Sequence, residues 1–128
     1  MNILIDTCDA LWFFSGDKQL KAKRRRIIED PGNAVFLSTV SASEIAIKHS
    51  IGKLPLPEPP HEFIPRLRVR HHFAELPLYE SASLLLASLP LLHRDPFDRM
   101  LICQSLAHGL FLLTSDPRIL QYPGIRTI

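Results

Sequence analysis

The sequence predicts an α/β fold, a parallel sheet covered by helices on both faces. Short apolar runs that suit buried strands alternate with longer segments whose apolar residues recur at three- and four-residue spacing. Each run is brief and closes on polar or turn residues. Strands that alternate with helices in this way pair in parallel and are buried on both sides.

The first strand is expected over Asn2 to Ile5, and Leu11, Phe14 and Ser15 fall in the helix after it. Leu20, Ile27 and Ile28 mark a second helix with a basic outer face, and Val35 to Leu37 a second strand. Ile45, Ile47, His49 and Ile51 place a third helix, which Gly52 ends. The proline cluster from Pro55 to Pro60 reads as a surface loop. Ile64 and Leu67 mark a shorter helix, Phe73 to Leu76 a third strand, and Leu84 to Leu89 another helix. Met100, Leu101, Cys103, Leu106 and Ala107 form the last long helix, ended by Gly109. Leu110 to Leu113 and Ile125 to Ile128 complete the sheet. No repeat, low-complexity tract or flexible linker interrupts the 128 residues, so one domain over residues 1–128 is expected.

Composition narrows the class. Apolar residues make up 46% and charged residues 22%, ordinary values for a globular domain. A chain of this length buries roughly two-thirds of its unfolded surface and needs no disulfide to fold. Cys8 and Cys103 therefore read as reduced thiols of a cytoplasmic protein. The apolar runs fall far short of the ~20 residues that cross a bilayer, and Asp6 interrupts the first of them, so no membrane association is expected. Net charge is only +2. Its distribution says more, because Lys18, Lys21, Lys23, Arg24, Arg25 and Arg26 crowd one segment and Arg66, Arg68, Arg70, His71 and His72 another. Such runs either neutralise phosphates or form solvated helix faces.

In a doubly covered parallel sheet, ligands bind outside the carboxyl ends of the strands. Four acids are expected there. Asp6 follows the first strand and Asp116 the fourth; Glu44 follows the second strand in the first turn of a helix, and Asp98 starts the long late helix. Gathered carboxylates suit a hard divalent cation such as Mg²⁺ or Mn²⁺. Without one they repel each other and some take up protons. With one, the site can activate a water and stabilise charge on a phosphate under attack.

Each acid also has an ordinary structural role available. Ser41 with Glu44 matches a capping box, and Asp95 with Pro96 an N-cap followed by proline at the first helical position. Asp98 suits the helix dipole, and Asp116 before Pro117 matches another cap. Those roles do not account for four acids converging on one edge. Asp95 is assigned to its cap and Asp98 to the site.

Four blocks carry a resemblance: ILIDT from Ile3 to Thr7, SEIAIK from Ser43 to Lys48, HRDPFDRMLI from His93 to Ile102, and LTSD from Leu113 to Asp116. In this order and at these spacings the chain, from Met1 to Ile128, resembles the PIN domain and, more narrowly, the VapC-type toxins of bacterial toxin–antitoxin pairs. The resemblance implies a three-layer α/β/α sandwich and an endoribonuclease that hydrolyses RNA with Mg²⁺ or Mn²⁺. It places the catalytic and metal-binding acids on Asp6, Glu44, Asp98 and Asp116. Asp6 and Asp98 would be direct ligands, and Glu44 and Asp116 would complete the shell. Thr7, Thr114 and Ser115 would orient carboxylates by hydrogen bonds. Lys48 and Arg99, each near an acid, are candidate contacts to RNA phosphates. Cys8 departs from the family, whose members often carry His there, and is read as a small buried apolar residue.

The resemblance also implies partners. A cognate antitoxin would lay its tail in the active-site groove, with an Arg reaching the acids, and the toxin would form a homodimer. Leu11, Trp12, Phe13 and Phe14 carry much aromatic surface for one helix, and part of it suits either partner unless all of it is core.

Other chemistries are excluded. His71 and His72, as strand neighbours, would point to opposite faces, and His49, His61, His93 and His108 lack ligand-like spacing. No H-x-x-x-H pair, C-x-x-C, G-x-S-x-G or glycine-rich phosphate loop occurs. A receiver-like signalling domain would need paired acids after its first strand and a closing Lys, and neither is present. The remaining alternative is an inactive RNA-binding or protein-interaction module of the same fold.

Overall fold

A computed structural model describes residues 1–128. The chain runs β1 (Asn2–Ile5), α1 (Thr7–Ser15), α2 (Ala22–Glu29), β2 (Ala34–Ser38), α3 (Thr39–Ser50), α4 (Pro60–His71), β3 (Ala74–Leu76), α5 (Glu80–Leu84), α6 (Pro96–His108), β4 (Phe111–Leu113), α7 (Pro117–Leu120) and β5 (Arg126–Thr127). The strands lie in the order β3-β2-β1-β4-β5, and every pair is parallel. Central β1 sets Ile3 against Val35 on one side and Phe111 on the other.

Side chains of the central strands alternate between two apolar layers, as the pleat requires. Ile3, Ile5, Val35, Leu37 and Leu113 pack with Phe13 of α1, Ile28 of α2, Ile45 of α3 and Ile64 of α4. Leu4, Leu112 and Leu76 pack on the opposite face with Leu101 and Ile102 of α6 and Ile119 of α7. The result is a three-layer α/β/α sandwich. Ile3, Leu4, Ile5, Leu112 and Leu113 are fully buried. Each such side chain contributes roughly 1.5–3 kcal/mol of burial free energy.

Strand order positions the site. The chain leaves β1 toward β2 and β3, then returns to lay β4 on the other side of β1. The carboxyl ends of β1 and β4 therefore flank a topological switch point, where a crevice opens above the sheet. Asp6 ends one of these strands and Thr114, Ser115 and Asp116 follow the other.

Several expected elements shift. Phe73 fills the core before β3 begins, and β5 shrinks to two residues. The helix expected over Leu84 to Leu89 is instead the end of α5 followed by a 3-10 turn at Leu85–Ala87, with Leu84 67% exposed. Pro90 cannot continue a helix, and the apolar run before it lies over the surface. α7 is a single turn, and Asp116 before Pro117 caps it as the sequence allows. His71 and His72 are not strand neighbours: His71 ends α4, and His72 takes the left-handed cap conformation (φ 58°). No helix is long and apolar enough to cross a membrane.

Candidate metal centre

Asp6 is held at the seam of the sheet. Its backbone N–H donates to Leu113 O at 2.9 Å, which fixes the residue across the β1–β4 edge. Its side chain is 3% exposed, and the Thr114 hydroxyl donates to Oδ2 at 3.0 Å. Burial, then the charges of Asp98, Asp9 and Asp116, push its carboxyl up to about 7.

Glu44 reaches the site from α3. The capping-box expectation does not hold, because Ser38 caps this helix by accepting from Val40 N at 2.9 Å. The helix starts three residues earlier than the Ser41 motif implies, so Glu44 projects from the second turn and owes nothing to a cap. Ser41 instead accepts a hydrogen bond from the Thr7 hydroxyl at 2.8 Å. Thr7 therefore ties the start of α1 to α3 and orients no carboxylate, contrary to expectation. Glu44 is 5% exposed, and Lys48, one turn on, places Nζ 2.5 Å from Oε2. Glu44 Oε1 is buried with no hydrogen-bond partner.

Asp98 sits in the first turn of α6 and is buried. Asp95 does cap this helix, accepting from Phe97 N at 2.9 Å and Asp98 N at 3.3 Å. Burial raises the Asp98 carboxyl, against the opposing pull of a hydrogen bond from His93. Asp116 lies at the rim of the same edge. It caps α7 through Arg118 N at 2.9 Å and is clasped by the Arg118 guanidinium, with Nη2 2.8 Å from Oδ2. That clasp holds its carboxyl below the usual range. Of the four expected acids, Asp98 and Asp116 lie near enough to Asp6 for their charges to act on it, and Glu44 acts on Asp98; three are buried and Asp116 is half-buried.

Two residues were missed. Asp9, 1% exposed, lies one turn beyond Asp6 on α1, and both its oxygens accept from Ser115 Oγ, at 3.2 and 2.9 Å. Ser115 thus orients a fifth acid and not Asp116. The spacing Asp6-x-x-Asp9 at a helix start was the available signal, since residues three apart share a face. His93 brings Nε2 to 2.7 Å from Asp98 Oδ2. Its position in an irregular loop left no periodicity to read. His93, Asp95 and Asp98 can each bring a donor atom within 4.8 Å of the others.

Of the two candidate phosphate contacts, the Arg99 guanidinium is taken up by the chain itself and Lys48 reaches the acids. Arg99 is no phosphate contact: its guanidinium donates to Leu89 O, Pro90 O and Tyr122 Oη at 3.2, 2.8 and 3.0 Å. Lys48 reaches the site, but as the counter-ion of Glu44. Cys8 is exposed and not buried, since Thr7 beside it takes the inward position on α1. It lines a cavity of about 230 Å³ with Thr7, Leu11, Glu44, Lys48, Lys53 and Leu54. Partial desolvation of the sulfur at this cavity, then the charges of Asp6, Asp9, Asp116 and Glu44, push its thiol up to about 11 although the residue as a whole is exposed. Within the aromatic cluster, Phe13 is core, whereas Leu11, Trp12 and Phe14 are partly buried and line a second cavity of about 380 Å³.

Asp6, Asp9, Glu44 and Asp98 are buried together, with Lys48 the one ammonium among them. A buried carboxylate oxygen without a partner is costly. The orphaned Glu44 Oε1 and the predominantly carboxylate chemistry of these buried groups fit a hard divalent cation of the Mg²⁺ or Mn²⁺ type.

A 41-residue stretch, 32% of this chain, is 49% identical to Ribonuclease VapC16 of Mycobacterium tuberculosis, and it spans 29% of that protein's length. The crystal structure of VapBC2 from Rickettsia felis, bound to a promoter DNA fragment, matches the fold over 100% of this chain and 98% of the other. The TM-score is 0.73 at 10% identity. The DNA-bound VapBC of Salmonella typhimurium gives a TM-score of 0.72 at 17% identity, covering 100% of this chain and 97% of that one. The family model of the PIN domain matches residues 3–125, from β1 through the loop before β5 and across every acid of the site. The chain is therefore a member of the PIN domain family.

Proposed function

We propose that this chain is a Mg²⁺- or Mn²⁺-dependent endoribonuclease that hydrolyses RNA phosphodiesters, and that it is the toxin of a toxin–antitoxin pair. Family membership, the 49% identity to a ribonuclease over 41 residues and the shared fold of VapBC toxins support the reading. The observation that carries it is Glu44 Oε1, a buried carboxylate oxygen left unpartnered, whose carboxylate acts on buried Asp98.

Asp6, Glu44 and Asp98 would hold the cation, with Asp116 completing the set from the rim. When bound, the cation supplies a Lewis acid that offsets the charge developing on a phosphate under attack. The chain's own residues do the rest. Thr114 fixes the Asp6 carboxylate, Ser115 fixes Asp9, and Lys48 neutralises Glu44. Burial of the acids keeps bulk water from screening them.

The same reading names partners. Cys8, Leu11 and Leu54 line both the acid-side cavity and the apolar groove of Trp12, Phe14, Leu56 and Phe63, so groove and acids form one continuous surface. An antitoxin segment with apolar side chains in the groove and an Arg on the carboxylates fits that surface. The chain also pairs as a homodimer in this reading.

The test is cleavage by the purified, partner-free chain of structured and single-stranded RNA, with Mg²⁺ or Mn²⁺, with EDTA, and by Asp6→Asn. Cation-dependent cleavage that vanishes in the variant is expected. RNA bound but uncut by the folded chain under either cation would overturn the enzyme and leave the binding module.

A further inference from the structure

We propose that His93 is a positioning residue for the metal centre: its Nε2 holds Asp98 Oδ2 so that Oδ1 stays turned to the cation, and Arg99 and Tyr122 hold His93 in place. The proposal rests on the metal-dependent reading above.

The pair is short and dry. Nε2 and Oδ2 are 2.7 Å apart, and the two side chains are 8% and 10% exposed. An ionised carboxylate only accepts, so the ring N–H donates. A charge-assisted bond of this length fixes the rotation of the carboxylate. Asp98 Oδ1 makes no hydrogen bond and is left for another partner.

The loop that delivers the imidazole has no regular structure to hold it. It is strapped from outside. Arg99, next to Asp98 on α6, donates to Pro90 O at 2.8 Å, Leu89 O at 3.2 Å and His93 O at 3.5 Å. The Tyr122 hydroxyl donates to His93 O at 3.3 Å and accepts from Arg99 Nη1 at 3.0 Å. Tyr122 is 3% exposed, and its ring is part of the core layer beneath α6. The helix that carries the ligand thus also carries the guanidinium that fixes the ligand's orienting group. A conformational error in the loop would be passed directly to Asp98.

His93 lies close enough to share a cation with Asp95 and Asp98. Its geometry favours the supporting role. A ligating imidazole nitrogen must be free of its proton, whereas Nε2 lies 2.7 Å from Oδ2 and, toward an ionised Asp98, must carry the proton of that bond. Metal sites commonly order an imidazole through a carboxylate; this chain uses the same pair in the reverse order.

The experiment is Mn²⁺ binding to the full chain, followed by electron paramagnetic resonance with no substrate present. His93→Leu is expected to weaken Mn²⁺ binding by ~10- to 100-fold. His93→Gln, whose amide can donate in the same place, is expected to recover most of the loss. Tyr122→Phe, which keeps the ring and removes only the hydroxyl, is expected to fall between His93→Leu and the parent. Should His93→Leu fail to fold by circular dichroism, the Gln and Tyr122→Phe arms decide. Unchanged Mn²⁺ affinity in folded His93→Leu overturns the proposal alone. So does a nitrogen coupling in the parental Mn²⁺ spectrum that His93→Gln removes, because it would make His93 a ligand. A parental chain that binds no Mn²⁺ overturns the metal reading and this proposal with it.

Discussion

The Thr114 hydroxyl donates to Asp6 Oδ2 at 3.0 Å, joining residues 108 positions apart across the carboxyl ends of β1 and β4. The same Oγ1 accepts from Asp116 N at 3.1 Å, and Thr114 O accepts from Arg24 Nη2 at 3.0 Å. Thr114 is fully buried, so its neighbours have no water to fall back on. Thr114→Val keeps the shape and removes the donor and acceptor. It is expected to destabilise the fold by about 1–3 kcal/mol in urea denaturation, with cleavage reduced and Thr114→Ser near the parent. Equal stability of the Val and parental chains would show that Asp6 does not depend on this hydroxyl.

Asp6→Asn separates function from stability. The carboxyl lies among Asp98, Asp9 and Asp116, and burial compounds their repulsion. Removing one charge relieves it, while the Asn oxygen still accepts from Thr114. In EDTA at pH 8 the variant should be more stable than the parent by ~1 kcal/mol or more. In Mn²⁺ the order should reverse, because only the parent gains from binding the ion. Thermal melts with and without Mn²⁺ read both halves, and a variant less stable in EDTA would refute the crowding argument.

Much of this centre was legible because its acids follow strand ends, and parallel sheets send strand ends to one edge. Asp6 and Asp116 could be read in that way, and Asp98 by its place beside the Asp95-Pro96 helix start. What stayed hidden are contacts that no local rule encodes. Ser115 and Asp9 meet across 106 positions. His93 reaches Asp98 from a loop whose path is set by Arg99 and Tyr122. Arg99 misled for the same reason, since a cation next to an acid in sequence gives no sign of the carbonyls waiting for it in space. Ser38 and Ser41 both suit a cap, and only the end of β2 at Ser38 decides between them.

His71 gives the fold a dependence on pH away from the metal centre. Its ring packs against Phe13, Phe14 and Phe73 at centroid distances of 5.0, 5.6 and 5.9 Å. Burial lowers its pKa below 6.5, with Arg70 and His72 adding to the shift and Glu29 opposing it. Below 6.5 the unfolded chain therefore binds the proton more readily than the folded one. The stability tied to His71 is complete above about pH 6.5 and is lost as pH falls through its lower folded value. His71→Phe should flatten the fall in Tm between pH 7.5 and 5. An identical slope in parent and variant would remove His71 as the cause.

The basic run that leads into the first turn of α2 divides by geometry. Arg24 is structural, with Nη2 on Thr114 O and Nε 3.5 Å from Ile128 O. Lys21 and Lys23 line the cavity beside Arg24 and stay exposed. Through Arg24, whose guanidinium donates to Thr114 O and whose charge acts on Asp9, they stand near the carboxyl end of β4. A polyanion approaching the acids along this side would meet these ammonium groups, which offset the repulsion between phosphate and carboxylate. Exposed ammonium groups of this kind bind backbone without reading sequence. Lys21→Ala with Lys23→Ala should raise KM for RNA, leave kcat near the parent, and lower the salt dependence of binding by about two phosphate contacts. A fall in kcat at unchanged KM would instead place these lysines in the catalytic step, and an unchanged salt slope would take the RNA path off this flank.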